Sequence, residues 1–321
     1  MTTMVKVLFI AGGGRTGSTI LHNVIGQLDG FAAVGELRYI WGRAALKNQS
    51  CGCGVPFSDC GFWNEVLTRA FGGLERDEAR RMLQLTESFR IRNLPLTAVP
   101  ALRRRELSRM ASYLSRLGEL YAAIQEVSGC RVIVDSSKNP SYGYLLGHVE
   151  GLDVHYLHFV RDAPPVAYSW GQHKEFEPGV PMARKDAAAS ALQWLARNAS
   201  AELFLPRGTE RWRQWRYEDV MRRPRDHVAT LPPWLGEDAA DLPFLSAHDA
   251  RIDRPNHSVF GNSTRFRSGV VTLRPDDRWR PQMGRADQAT VAALTWPLRL
   301  RYGYLGRGAV AAGDTAERLP A

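Results

Sequence analysis

The chain has 321 residues, 44% of them hydrophobic and 23% charged, with 42 Lys and Arg against 33 Asp and Glu for a net charge of +9. Those values belong to a globular chain able to bury a core, and they exclude wholesale disorder, a collagenous repeat and a coiled-coil rod. No stretch approaches the ~18 unbroken apolar residues of a membrane span, and the apolar opening of about seven residues is too short for a secretory signal, so a soluble cytoplasmic protein is expected.

Residues 5–11 read as a buried strand, short, β-branched and apolar, broken by Gly12, Gly13 and Gly14. Ile20, Leu21, Val24, Ile25 and Leu28 then recur at helical spacing from Ser18 onward. Residues 31–34 predict a second strand ending at Gly35 and Glu36. The stretch from Cys51 to Pro100 is less regular, with a helix near 77–89, and reads as an insertion able to cap a cleft. Leu107, Met110, Leu114, Leu117, Tyr121 and Ile124 mark one amphipathic helix.

A strand at 131–134, a polar turn at 135–140 and a strand at 154–160 follow, the last stopping at Arg161. Helices are expected from about Pro164, over 186–204 and over 286–302, with a strand at 212–217 and a Pro-rich loop at 231–255. The expected organisation is one domain over 1–305, containing the cap-like insertion and helices at about 45–128, and a disordered tail at 306–321. Strands alternating with helices predict an α/β, three-layer fold: a central parallel sheet flanked by helices, plus the helical, Cys-containing cap. Ligands of such sheets bind beyond the carboxyl ends of the strands, so Arg15–Thr19, Glu36, residues 136–138, Arg161 and Tyr217 should converge on one edge.

The positive balance suits an anionic partner. Lys and Arg are scattered, with no long basic run and no nucleic-acid module, so a small polyanion in a cleft is favoured over a nucleic acid. Cys51, Cys53 and Cys60 crowd into CGCGVPFSDC, while Cys130 stands apart. C-x-C-x₆-C lacks the paired C-x₂-C knuckles of an ordinary zinc module, and packed thiols or a local disulfide are preferred to a metal site.

Gly12 to Thr19 lie between a strand and a helix, where glycines let backbone N–H groups reach an anion and the helix start adds a positive dipole. A nucleoside-triphosphate loop reads G-x-x-x-x-G-K-[ST]. Gly12, Gly17 and Thr19 fit, but Ser18 holds the lysine position. Without the lysine that reaches the β/γ-phosphates, an ATP-driven kinase is disfavoured.

GGGRTGSTIL after a first strand resembles the 5′-phosphosulfate loop of the P-loop sulfotransferases, which use 3′-phosphoadenosine 5′-phosphosulfate (PAPS) as donor. FVRDAPPVAYSW resembles their 3′-phosphate motif, which assigns Arg161 and Ser169 to that phosphate. VDSSKNPSY is similar to a turn of the tyrosylprotein and related bacterial enzymes whose lysine contacts the sulfonate, here Lys138, and WRYEDV supplies a strand-end tyrosine near the nucleotide, Tyr217. HSVFGNSTRFRSG resembles by position the loop that closes over the nucleotide, with Asn262, Arg265 and Arg267, though the RKG-type sequence of cytosolic members is absent. The likeness extends over about 5–267. It implies Gly14, Arg15, Thr16, Gly17, Ser18, Thr19, Arg161, Ser169, Tyr217, Asn262, Arg265 and Arg267 as nucleotide-binding residues.

Sulfonate transfer to a hydroxyl needs a base, in-line alignment and neutralisation of the leaving phosphate. Glu36 follows a strand and resembles the catalytic Glu of tyrosylprotein enzymes; partial burial would raise its pKa toward that of a base. Histidine serves elsewhere in the family, which makes His148, His155, His158, His173 and His257 further candidates. Lys138 and Arg15 are the expected electrostatic pair, and no metal is required. The expectation is a PAPS-dependent sulfotransferase releasing 3′-phosphoadenosine 5′-phosphate and acting on a small hydroxylated molecule such as a natural product. A P-loop kinase and a non-enzymatic nucleic-acid binder are the alternatives, and self-association is left open.

Overall fold

A computed structural model describes residues 4–305 apart from 178, 239 and 240; the expected tail at 306–321 lies outside the described residues. Its centre is a five-stranded parallel sheet whose strands lie side by side in the order Phe31–Ala33, Val132–Lys138, Val5–Gly12, Leu152–Val160 and Trp212–Arg216. β1 (Val5–Gly12) leads into α1 (Ser18–Ile25), and β2 (Phe31–Ala33) into 3-10 and π turns over Leu37–Tyr39 and Ile40–Leu46. α2 (Gly61–Phe71), α3 (Arg76–Ser88), α4 (Pro100–Arg109) and α5 (Ala111–Ser128) precede β3 (Val132–Lys138). Then come α6 (Pro140–Leu146), β4 (Leu152–Val160), α7 (Ala163–Gly171), a small hairpin of β5 (Glu175–Glu177) and β6 (Val180–Pro181), α8 (Ala187–Phe204) and β7 (Trp212–Arg216). The chain finishes with α9 (Tyr217–Arg222), α10 (Pro224–Ala229), α11 (Leu231–Trp234), a two-stranded antiparallel pair β8 (Asp249–Ile252) and β9 (Gly269–Thr272), α12 (Trp279–Gln282) and α13 (Arg285–Arg301).

Both sheet faces are covered, which explains why β1 is apolar at consecutive positions. Val7, Phe9 and Ala11 point into one core with Tyr113, Leu117, Tyr121 and Ile124 of α5; Leu8 and Ile10 point into the other with Leu21, Val24 and Ile25 of α1. Trp41, Trp63 and Met82 belong to the first core, so the segment between β2 and β3 packs in continuity with the sheet.

Three local readings need correction. The single amphipathic helix divides at Met110, a buried residue at φ −90° and ψ 0° that ends α4 and starts α5. α4 buries none of its residues, so nothing forces it to follow the axis of α5. The polar run after Val134 continues β3 to Lys138, because buried hydrogen bonds satisfy its side chains where a turn was expected. The Pro-rich stretch holds α11 and β8, since proline fits the first turn of a helix.

Candidate active site

β1 ends at Gly12 with φ 132°, and Gly17, in the left-handed region at φ 83°, precedes α1. No side chain caps that helix start, so its first N–H groups remain available to an anion. A Cβ on Gly17 would lie 2.9 Å from the Tyr217 ring, and one on Gly14 would lie 2.9 Å from the Trp170 indole. The loop is therefore pressed between two aromatic side chains, and only glycine lets it pass. Thr16 donates to the Gly13 carbonyl at 3.3 Å, and Thr16, Ser18 and Thr19 are all buried.

Arg15 also has a positive φ, 67°, and its guanidinium lies 4.7 Å over the Trp170 ring. All three of its guanidinium nitrogens are buried without a hydrogen-bond partner among the described residues. Burial lowers its pKa, against the attraction of Glu36. A desolvated cation whose donors have no acceptor is unfavourable by itself and is stabilised by an oxyanion.

Arg161, at the end of β4, reaches the same loop: Nη1 donates to the Arg15 carbonyl at 3.4 Å and Nη2 to the Asp276 carbonyl at 3.1 Å. Its guanidinium stacks 4.3 Å over Tyr217, and its Nε is buried with no partner. Ser169, buried on α7, accepts from Lys174 Nζ at 2.9 Å. The Lys174 ammonium is drawn down to about 8 by partial burial of its head and then by repulsion from Arg15 and Arg161. Lys185 sits 4.5 Å over the opposite partner of Arg15, the Trp170 ring. Burial followed by repulsion from Arg197 and Arg15 lowers its pKa as well. Trp170, Lys174 and Lys185 were not singled out as anion ligands from the sequence; Trp170 lies in the last turn of α7, Lys174 just after it and Lys185 just before α8.

Glu36 follows β2, and Lys138 ends β3 at φ 63°. Their side chains form a buried ion pair at 2.5 Å, with Lys138 Nζ donating also to the Ser136 carbonyl at 2.8 Å. Burial raises the Glu36 pKa, opposed first by the Lys138 ammonium and more weakly by Arg197 on α8. Asp135 positions this pair. Its carboxylate accepts from the Ser137 hydroxyl at 2.6 Å, the Ser137 N–H at 2.8 Å, the Leu37 N–H at 3.3 Å and the Tyr121 hydroxyl at 2.7 Å. The Arg38 N–H adds a bond to Ser137 Oγ at 3.0 Å. The turn carrying Glu36 is thus laced to the strand end carrying Lys138, a role of Asp135 that the sequence reading missed.

The segment 256–267 crosses this edge. Glu36 N–H donates to the Phe260 carbonyl at 3.4 Å, and a Cβ on Gly261 would stand 3.5 Å from Thr19 and 3.9 Å from Glu36 Oε1. Its three expected nucleotide ligands are placed differently from one another. Asn262 caps its own turn by accepting from the Thr264 N–H at 2.9 Å. Arg265 is buried and donates to the Gly261 and Ser50 carbonyls at 2.9 and 3.0 Å, which directs it into the loop's foundation. Arg267 is exposed.

The five candidate histidines have partners other than Glu36. His158 is buried against Asn198 at 2.9 Å, with burial lowering it to about 4. His155 faces Asp153 at 3.4 Å, and His148 contacts the Tyr144 carbonyl at 2.9 Å. His173 lies 3.0 Å from Arg184, and His257 packs among the clustered cysteines. Those cysteines are free: the Cys53 and Cys60 sulfurs are 3.7 Å apart, so of the two expected states, packed thiols or a local disulfide, the thiols are packed.

No protein-family model and no curated protein matches this chain. Among solved structures, the sulfotransferase domain from the Synechococcus PCC 7002 olefin synthase aligns with a TM-score of 0.51 at 19% identity, covering 93% of this chain and 96% of that domain. The sulfotransferase domain from the curacin biosynthetic pathway aligns at 0.49 and 15% identity, over 90% and 96%. The five-stranded parallel sheet with its flanking helices is therefore the fold of the olefin synthase's sulfotransferase domain.

Proposed function

We propose that this protein is a sulfotransferase that moves a sulfonate from PAPS to the hydroxyl of a small molecule. One observation carries the reading. Two guanidinium groups with buried nitrogens, Arg15 and Arg161, meet at the glycine turn with four nitrogens between them that have no hydrogen-bond partner among the described residues. Lys174, hydrogen-bonded to Ser169, is near enough to be repelled by both, and we read the cluster as two neighbouring oxyanion positions, one at the helix start and one at Arg161. A donor carrying a 5′-phosphosulfate and a separate 3′-phosphate matches that pairing; ATP has no 3′-phosphate, and Ser18 stands where a triphosphate loop has lysine.

In this reading the N–H groups at the start of α1, with Arg15, Thr16, Gly17, Ser18 and Thr19, hold the 5′ end. Arg161, Ser169 and Lys174 hold the 3′-phosphate, and Tyr217 supports both Gly17 and Arg161. The donor supplies an activated S–O bond. As the acceptor oxygen bonds to sulfur and the bond to the 5′-phosphate breaks, Glu36 takes the acceptor proton and Lys138 with Arg15 neutralises charge on the departing phosphate oxygen. Lys138 has a second duty before that step: its ammonium opposes the burial that raises the Glu36 pKa and so favours the proton-accepting carboxylate.

The acceptor is proposed to be a hydroxylated metabolite of the natural-product kind. No helix among the described residues is long and apolar enough to cross a membrane. The test is incubation with labelled PAPS and a panel of phenols, alkyl alcohols and nucleosides, read by mass spectrometry, beside binding of 3′,5′-ADP and of ATP–Mg²⁺. Sulfonated product and selective 3′,5′-ADP binding are expected; tighter ATP–Mg²⁺ binding with phosphorylated product would overturn the assignment.

A further inference from the structure

The three clustered cysteines acquire a fourth partner from a distant part of the chain. His257 stands 206 positions from Cys51, yet its Nδ1 lies 3.6 Å from Cys51 Sγ and 3.4 Å from Cys60 Sγ. Cys53 Sγ lies 3.7 Å from Cys60 Sγ, and the ligand atoms of all four residues fall within 4.8 Å of one another. Zinc bonds of about 2.3 Å to sulfur and 2.0–2.1 Å to nitrogen give tetrahedral edges of about 3.8 Å between sulfurs and 3.6 Å between sulfur and nitrogen. The three separations at 3.4, 3.6 and 3.7 Å lie close to those edges, and the remaining pairs stay within 4.8 Å. They are too long for a disulfide, whose sulfurs stand at about 2.05 Å.

The surroundings hold the cluster in that shape. Cys51 N–H donates to the Val55 carbonyl at 2.8 Å and Gly54 N–H to the Cys51 carbonyl at 2.9 Å, folding the first two sulfurs back on one turn. The His257 ring stacks on Phe62 at 4.3 Å, and the Trp63 indole donates to the His257 carbonyl at 2.9 Å.

We propose that Cys51, Cys53, Cys60 and His257 form a closed, structural Cys₃His zinc site that fastens the segment after β2 to the loop lying over Glu36. Binding replaces three S–H bonds by Zn–S bonds and adds one Zn–N bond, with the three protons leaving to solvent. With all four positions filled by protein, the ion has no room for substrate and takes no part in sulfonate transfer. Its effect is positional. Gly52 N–H already donates to the Ser258 carbonyl at 2.9 Å, and Arg265 to the Ser50 carbonyl at 3.0 Å, so the metal closes a seam three residues from Phe260, whose carbonyl receives the Glu36 N–H.

The experiment is elemental analysis of the full chain purified in reducing buffer without added metal. About one zinc per chain is expected, released by an organomercurial as it binds the three ligand thiolates. Cobalt replacing it should give the intense absorption of tetrahedral thiolate coordination. His257→Cys should keep the metal and His257→Ala should lose it, with Cys130→Ser unchanged as the control. If Cys51→Ser or Cys60→Ser fails to fold, the metal content and cobalt spectrum of the unaltered protein still decide. Less than about a tenth of an equivalent of zinc, with no thiolate-to-cobalt band on reconstitution, would overturn the proposal. A Cys53–Cys60 disulfide found under reducing conditions would do the same.

Discussion

In the proposed reading, replacing Arg161 by methionine removes a ligand of the 3′-phosphate, together with its bonds to the Arg15 and Asp276 carbonyls. Methionine retains an apolar stem over Tyr217 while removing the guanidinium that stacks there at 4.3 Å. The change strands no buried carboxylate: Asp276 lies 3.7 Å from Arg161 but keeps a two-pronged contact with Arg278 at 2.8 and 2.9 Å, which is the main reason its pKa is held down at about 2. What disappears is a partly desolvated, charge-assisted contact to phosphate, worth about 1.5–3 kcal/mol. At 1.4 kcal/mol per tenfold, that is roughly a 10- to 150-fold loss of affinity. Calorimetric titration with 3′,5′-ADP and with 5′-AMP should show the loss for the first ligand and little change for the second. If the two ligands weaken equally, or their ratio is unchanged, Arg161 does not read the 3′-phosphate and the two-anion assignment fails.

Lys174 makes the same contact sensitive to pH. Its ammonium is drawn down to about 8; if that form holds the 3′-phosphate as proposed, 3′,5′-ADP affinity should fall as pH rises through 8. Binding near that pH should take up a proton, visible as a dependence of the calorimetric heat on buffer ionisation and absent in Lys174→Met. Lys138→Met removes the ammonium that opposes burial at Glu36. The rise of kcat/KM with pH, which follows ionisation of Glu36, should then shift to higher pH, whereas Glu36→Gln should lose roughly 10²–10⁴ in turnover while still binding nucleotide. Gly17→Ala combines a positive φ of 83° with a Cβ 2.9 Å from Tyr217, while Gly129→Ala has a φ of 64° and nothing within 4 Å. Thermal unfolding should show Gly129→Ala losing about 1 kcal/mol and Gly17→Ala more, with 3′,5′-ADP binding impaired only in the latter.

The histidines and the closing loop show where reading by residue type reaches its limit. A histidine is chemically suitable as a base wherever it occurs, but His158 is a buried partner of Asn198 and His257 belongs with the cysteines. Arg265 carries the right charge on a segment beside the site, and two of its donors go to the Gly261 and Ser50 carbonyls. Lys174, by contrast, drew no attention as a lone lysine in a polar turn, and only its proximity to Ser169, Arg15 and Arg161 gives it a role.

Strand β1, the glycine turn and helix α1 could be recognised from sequence alone because each is specified by neighbours within a few positions: consecutive apolar residues for a strand covered on both faces, glycines where φ is positive, helical spacing afterwards. The carboxyl-edge rule then placed Arg15, Glu36, Lys138, Arg161 and Tyr217 on one side, because every strand of a parallel sheet ends there. Which of those groups touch was decided by the packed chain. Glu36 and Lys138 are 102 positions apart, Arg15 and Arg161 are 146, and Cys51 and His257 are 206. No local pattern encodes a contact at that range; it exists only once two cores have closed on either face of the sheet and fixed the loops between them.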